Sequence, residues 1–178
     1  NSHDGFNSFK FMVGLFRLVC SNGLVMCSDE MVNMSIRHIN YDFEALRLVV
    51  TNAIEQVPYI VNTMNTMKNT KLSETEKKEL ATAVVKIRKD VEDNEKFSID
   101  EATIMDILEP VREEDNSDDL WTVFNICQEK MIKGGFQSTG KNDKVRKQRK
   151  ITSIKKDVEY NQRLWEIATR FMPATVAA

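Results

Sequence analysis

The 178-residue chain is poor in the residues that mark specialised classes of protein, with six glycines, three prolines and three cysteines. So few glycines and prolines exclude a fibrous or low-complexity chain. No run of about eighteen apolar residues occurs, so the sequence predicts no membrane association. The odd number of cysteines, with no Cys-x-x-Cys pair, is typical of free thiols in a reducing compartment. We therefore expect a cytoplasmic protein.

Sequence motifs of catalytic, nucleotide-binding and metal-binding sites are also absent from the sequence. It contains no nucleophile elbow, no phosphate-binding glycine loop and no dinucleotide fingerprint. Cys20 and Cys127 lie in apolar stretches, where a thiol behaves as an inert small hydrophobic group. A metal site made of His3, Cys20, Cys27 and His38 would lack the paired short spacings of zinc ligands. The sequence thus predicts no catalytic residue, no cofactor and no metal ion.

The chain opens on Asn rather than Met, and residues 1–5 (Asn-Ser-His-Asp-Gly) are nearly all turn formers. Such residues accept left-handed backbone or bond their own main chain, and they suit a turn inside a domain. We expect residues 1–178 to form a single domain from the C-terminal part of a longer chain, whose first strands are then missing.

Residues 1–40 are predicted to contain the β-structure. Residues 24–27 and 31–38 are typical of short strands, the second because apolar and polar side chains alternate along it. The sequence Asn22-Gly23 is a turn or helix-stop signal. The apolar run 15–20 fits a helix or a strand, and we favour the helix.

Residues 41–178 are predicted to be a helical body. From Asp42 to about Asn69, apolar residues recur at steps of three and four, which indicates one long helix. Pro58 should kink or split that helix, because proline lacks an N–H and its ring clashes with the preceding turn.

Four further helices are predicted from polar capping residues and apolar spacing. Their expected starts are Ser73, Ser98, Asn116 or Ser117, and about Thr152. Gly134-Gly135 should end the third of them, and the last should end near Phe171. The predicted fold is mostly α with a small β part (α+β), a helical bundle packed on a short antiparallel sheet.

Charge is segregated along the chain although 25 bases nearly balance 27 acids. Residues 89–119 carry a net charge of −10, whereas residues 133–156 carry +8. The stretch 141–156, here named the basic segment, suits the phosphate backbone of DNA or RNA without sequence readout. Its bases are Lys141, Lys144, Arg146, Lys147, Arg149, Lys150, Lys155 and Lys156.

No aromatic residue interrupts the basic segment, so phosphate contact is predicted rather than base stacking. The alternative is a solvated surface that balances the acids elsewhere in the fold. The acids of residues 89–119 lack the ligand pattern of a calcium loop, and we interpret them as a solvated loop.

Polar side chains also fall on apolar helical faces. Trp121, Asn125 and Gln128 share one face, with Glu129 beside them, and Asn161 lies on an apolar stripe of the last helix. Buried amides need partners, so we predict a network between Asn125 and Asn161 in preference to a recognition surface.

These residues also carry a resemblance to a known family. The strings at residues 1–5 and 14–24, the pattern Trp121-x-x-x-Asn125-x-x-Gln128-Glu129, Gly134-Gly135 and Asn161-x-x-Leu164-Trp165-x-x-Ala168 resemble a phage- and plasmid-related family, the domain of unknown function number nine hundred and thirty-two. The resemblance implies a further N-terminal region and occurrence in mobile genetic elements and their bacterial hosts. It implies no reaction. The polar residues that match the family pattern are His3, Asp4, Arg17, Asn22, Asn125, Gln128 and Glu129.

The leading hypothesis is a non-catalytic accessory protein of phage or plasmid type that binds nucleic acid through the basic segment. A second hypothesis is a protein-interaction module or homo-oligomeric scaffold in which the two charged stretches pair between subunits. A third is an enzyme that acts on nucleic acid with a divalent metal held by gathered carboxylates.

Overall fold

The computed structural model describes residues 8–9, 13–16, 23–26, 36–37, 43–91, 99–139 and 145–173. The helices there are α1 (Phe43–Asn69), α2 (Glu74–Arg88), α3 (Glu101–Leu108), α4 (Leu120–Lys133) and α5 (Ile154–Thr169), with a 3-10 helix at Glu113–Asp115. The strands are β1 (Ser8–Phe9), β2 (Val13–Phe16), β3 (Gly23–Met26), β4 (Ile36–Arg37), β5 (Gln137–Thr139) and β6 (Val145–Lys147). The prediction of a mostly α fold with a small β part is confirmed.

The chain divides into two compact units, residues 1–62 and residues 63–178, with the boundary inside α1. In the first unit the strands pair antiparallel, β1 with β4 and β2 with β3. The predicted strand at 24–27 is confirmed by β3. The favoured helix over 15–20 is wrong at Leu15 and Phe16, which lie in β2, because pairing with β3 overrides the ambiguous local preference.

The core of the second unit is formed by α2, α4 and α5, which pack on one another. Each helix buries the apolar stripe that its spacing predicts, because that stripe leaves water only where another helix covers it. α4 is buried along most of its length and is the central helix. Fully buried core residues include Leu80, Val84, Ile87, Phe124, Cys127, Met131, Leu164 and Ala168.

Helix starts are set by polar caps, in part other than those predicted. Ser73 and Glu76 form the predicted capping box at α2. The caps of α3 and α4 are Asp100 and Asp119, whose carboxylates accept the N–H three residues on. The expected cap of α4 at Asn116 or Ser117 is therefore wrong, and Ser98 lies outside the described residues.

Of the kink or split expected at Pro58, the split is wrong. One helix of 27 residues runs through that position. Proline interrupts the helical ladder by a single missing N–H, at a cost of about 3 kcal/mol, and the bonds on either side keep the helix continuous.

A hairpin of β5 and β6 lies between α4 and α5 and was not predicted. Its register pairs Ser138 with Arg146. Past the end of α4, the Gly135 N–H donates to the Gln148 carbonyl at 2.9 Å, and the Gln148 N–H donates to the Phe136 carbonyl at 2.8 Å. The hairpin is thus fixed to the end of α4 by main-chain bonds.

The close approach at this junction requires glycine at residue 134. Gly134 has φ +71°, and a Cβ there would lie 2.5 Å from the Gln148 carbonyl oxygen and 2.9 Å from that of Arg149. Gly135 has φ +95° with open space around the corresponding position. Only the first glycine is therefore needed for both its conformation and its lack of a side chain.

We expect Gly134→Ala to lower the free energy of unfolding by about 3 kcal/mol or more. The new methyl group would collide with main-chain atoms, which cannot move aside by a change of rotamer as a side chain can. Gly135→Ala should cost about 1 kcal/mol, from backbone strain alone. Urea denaturation followed by circular dichroism measures both values. Equal losses in the two variants would contradict the role of the close approach.

Candidate nucleic-acid interface

The described part of the basic segment runs from β6 into the first turn of α5. Arg146 and Lys147 lie in β6, Arg149 and Lys150 follow it, and Lys155 lies in α5. These five side chains and that of Lys156 are exposed to solvent. Lys141 and Lys144 lie outside the described residues.

Most of these bases lack a carboxylate partner. Over the ranges that the structure describes, no Asp or Glu lies within 4.0 Å of the charged nitrogens of Arg146, Lys147, Arg149, Lys150 or Lys155. The described part of the segment is therefore open to solvent, although the charge of Lys150 acts on the Asp157 carboxyl, whose pKa burial raises. This openness is the condition on which a polyanion site depends.

Lys156 is the exception among the six. Its Nζ donates to the Tyr160 hydroxyl at 3.4 Å and lies 3.9 Å from the Asp90 carboxylate. The hydrogen bond to Tyr160 and the negative charge of Asp90 raise the pKa of Lys156. Asp90 also lies 3.9 Å from the Arg163 guanidinium, so one carboxylate faces two cations.

Several of the described acids of residues 89–119 have partners and structural roles of their own. Asp118 pairs with Lys77 at 2.6 Å, and Asp106 accepts the Gln137 N–H at 2.8 Å and lies 3.4 Å from Lys130. The hydrogen bond from Lys77 lowers the pKa of Asp118. Asp119 is buried at the start of α4. The interpretation of these acids as a solvated loop is thus wrong for several of them.

Three of the seven polar residues of the family pattern lie within the described ranges. His3, Asp4, Arg17 and Asn22 lie outside the described residues. The other three, Asn125, Gln128 and Glu129, are buried in α4.

The buried amides form a network, but with a different pairing from the one predicted. Gln128 donates to the Asn161 side-chain oxygen at 2.6 Å, and Asn161 donates to the Asp157 carboxylate at 2.7 Å. Asn125 donates to the Trp121 carbonyl of its own helix at 2.6 Å. The predicted partner of Asn161 is wrong because the longer Gln128 side chain reaches across to α5, whereas Asn125 bonds back one turn.

Glu129 is the centre of a charged cluster on α4. Its carboxylate accepts two bonds from the Arg112 guanidinium, at 2.5 and 2.7 Å, and one from Lys133 at 2.7 Å. Arg112 also lies 3.2 Å from Asp115. The bonds from Arg112 lower the pKa of Glu129 to about 2. This cluster ties the 3-10 helix to α4, a structural role for Glu129.

The described ranges contain neither a metal-binding cluster nor a membrane-spanning helix. No three His, Cys, Asp or Glu side chains there lie close enough together to hold a metal ion. No helix there has the length and apolar character needed to cross a membrane. The histidines and cysteines considered for a metal site (His3, Cys20, Cys27 and His38) fall outside the described residues.

Sequence reasoning missed two residues beside the basic segment. Arg88 ends α2 and donates to the Arg149 carbonyl, and Asp90, two residues later, faces Lys156. The sequence signal was weak, because a base in the last turn of a helix is common and a single aspartate two residues later indicates no particular contact.

Comparison with known proteins gives a family and curated relatives, among them two proteins of one bacterial strain. The family described as "Domain of unknown function (DUF932)" matches residues 1–165. The "UPF0380 protein YafZ" of Escherichia coli K12 is 33% identical over 175 residues, and the "UPF0380 protein YfjQ" of the same strain is 31% identical over 173. Each match covers 94% of this chain but 59% of the relative. No solved structure matches the chain.

We expect Glu129→Gln to lower the free energy of unfolding at pH 7 by about 2 kcal/mol, because Arg112 and Lys133 lose a charged acceptor. Since folding lowers the Glu129 pKa from 4.5 to about 2, its stabilisation is complete above about pH 5 and is lost as the pH falls to 2. Urea denaturation from pH 7 to pH 2 should therefore show the variant losing less stability than the native chain. Glu113→Gln, an exposed carboxylate nearby, is the control, and parallel pH profiles for native chain and Glu129→Gln would contradict this role.

Proposed function

We propose that this chain, which belongs to the DUF932 family of domains of unknown function, binds the phosphate backbone of DNA or RNA without catalysing a reaction. The observation that carries the proposal is the set of five exposed bases with no carboxylate partner in the described ranges. A protein that neutralises phosphates with Lys and Arg releases condensed counterions, and this release drives binding.

The distribution of partners supports an intermolecular role for these bases. Several acids of residues 89–119 accept bonds from Lys77, Lys130, Arg112 or helix N–H groups. Because those acids are bonded elsewhere in the second unit, they do not neutralise the basic segment. The charge of the segment is therefore available to an external partner. Phosphate is such a partner, since it accepts hydrogen bonds and carries charge at once.

The nature of the side chains favours binding that does not depend on base sequence. The aromatic residues Phe136 and Tyr160 contact the described part of the segment, and both are buried, the first bonded to Gln148 through its carbonyl and the second to Lys156 through its hydroxyl. Exposed Thr152 and Ser153 add hydroxyl groups of the kind that bind phosphate oxygens. Backbone contact of this sort positions a protein on nucleic acid without reading bases.

The proposal also includes the cellular compartment of the protein and its genetic context. We place the chain in the cytoplasm as an accessory protein of phage or plasmid type. The buried free thiol of Cys127 supports a reducing compartment, and the family resemblance supports the mobile-element context. The chain spans about three fifths of the length of the curated relatives it matches, so this activity is proposed for the part described.

The triple variant Arg146→Gln, Lys147→Gln, Lys150→Gln should bind DNA more weakly, and about equally so for all base sequences. For the native chain, the logarithm of the affinity should fall linearly as the logarithm of salt concentration rises. The slope of this line should be smaller in magnitude by about three for the variant. Each lost phosphate contact lowers the magnitude of the slope by about 0.9, and three contacts are lost. Fluorescence anisotropy over a salt series measures both quantities.

The matched control changes one Arg and two Lys elsewhere in the second unit, as Lys68→Gln, Lys71→Gln, Arg170→Gln. It has the same net charge as the first variant and should keep most of the affinity and the salt slope. Absence of native binding at low salt, or equal losses in the two variants, would contradict the proposal. Salt-sensitive self-association in light scattering without binding to nucleic acid would favour the oligomeric scaffold instead.

Asp90→Asn should strengthen binding by up to about threefold, because a carboxylate that faces Lys156 competes with phosphate for that cation. Asparagine tolerates the left-handed backbone found here, φ 52°, so the main chain need not move. Anisotropy at low salt compares this variant with Glu113→Gln, which removes one exposed charge farther along the chain. An equal gain in both variants would mean that net charge alone is responsible.

A further inference from the structure

One arginine joins three parts of the second unit at the basic segment. Arg88 is the last residue of α2. Its Nη1 donates to the Met131 carbonyl near the end of α4 at 2.5 Å, and its Nη2 donates to the Arg149 carbonyl at 2.7 Å. The same Nη2 lies 3.4 Å from the Gln148 side-chain oxygen. The end of α2 is thereby bonded to the end of α4 and to the main chain of the basic segment.

The bonds of Arg88 require a guanidinium group. Two carbonyls on different elements are reached by two different nitrogens of one planar fork, which a single ammonium nitrogen cannot reproduce. The guanidinium carbon also lies 5.9 Å from the centre of the Phe136 ring, within the range of a cation–π contact. The Gly135 and Gln148 amides complete the junction with main-chain bonds.

The guanidinium of Arg88 is bonded to neutral oxygens in the described ranges. No carboxylate in the described ranges pairs with Arg88, and its buried Nε has no hydrogen-bond partner. Burial lowers the pKa of this guanidinium, which nonetheless keeps its proton in proteins. A half-buried charge bonded only to neutral oxygens is costly, and its field adds to that of the exposed bases nearby.

We infer that Arg88 is the positioning residue of the basic segment. By bonding the Arg149 carbonyl, it holds the main chain between Lys147 and Lys150 in one conformation, so that the bases meet successive phosphates without first being ordered. Ordering flexible side chains and loops on binding lowers affinity, and a segment held in place avoids that loss. This inference rests on the proposed function.

The test uses the full chain with Arg88→Lys, which keeps the charge and loses the fork, and Arg88→Met, which loses both. Arg170→Lys, at an exposed arginine, is the matched control. Hydrogen exchange reports on the junction through the amides of Gly135 and Gln148, with Leu72 as a remote backbone reporter. Fluorescence anisotropy over a salt series reports the affinity for a DNA duplex and the salt slope.

In Arg88→Lys, exchange at Gly135 and Gln148 should accelerate by about tenfold or more while Leu72 is unchanged. Affinity should fall by about tenfold with an unchanged salt slope, since every base that contacts phosphate is still present. Loss of slope together with affinity would instead mean that Arg88 itself contacts phosphate, which would overturn the inference.

Unchanged exchange at Gly135 and Gln148 in Arg88→Lys would overturn the inference whatever the DNA result. Faster exchange with native affinity would do so as well, because the junction would then not matter for binding. If the native chain binds no duplex, the proposed function fails, and exchange alone shows whether Arg88 fixes the segment. Should Arg88→Met not fold, the lysine variant still gives each of these results.

Discussion

The basic segment keeps its place because two stretches of main chain approach each other with no side chain between them. At Gly134 the end of α4 comes so close to residues 148 and 149 that even a methyl group would collide with carbonyl oxygens. The glycine removes the side chain, the adjacent main-chain bonds fix the register, and Arg88 joins the junction to α2. The main chain that carries the exposed bases on either side of this contact is thereby held in place.

Acidic and basic residues have different roles in this chain, a difference that the net charge of −2 does not show. Acids such as Asp100 and Asp119 start helices, where a carboxylate satisfies N–H groups that would otherwise lack partners. Glu129 ties a loop to the central helix through Arg112. These three acids are thus structural, whereas five bases of the segment have no carboxylate within 4.0 Å in the described ranges.

Local rules predicted much of the fold and little of the candidate site. The periodicity of α1 and the capping box at Ser73 are properties of neighbouring residues, and both are as expected. The β5–β6 hairpin is different, since each strand has three residues without an apolar alternation and depends on bonds to the end of α4. The contact of Arg88 with Arg149 spans 61 residues, a separation that no local pattern records.

The cap of α4 shows a narrower limit of sequence reasoning. Residues 116–119 (Asn-Ser-Asp-Asp) are all good capping residues, and the choice of Asp119 depends on where the chain meets residues 70–72. The positions of the exposed bases were evident from the sequence. Their freedom from carboxylates was not, because pairing depends on the three-dimensional arrangement of all the acids.

The bond between Gln128 and Asn161 restricts how this fold can diverge. Both amides are buried, and loss of Gln128 would take from the Asn161 side-chain oxygen the donor that it has in this structure. An apolar residue at both positions would remove this bond from both sides, but the Asp157 carboxylate would then lose its Asn161 donor. The effects of substitutions at residues 128, 157 and 161 on stability should therefore be non-additive.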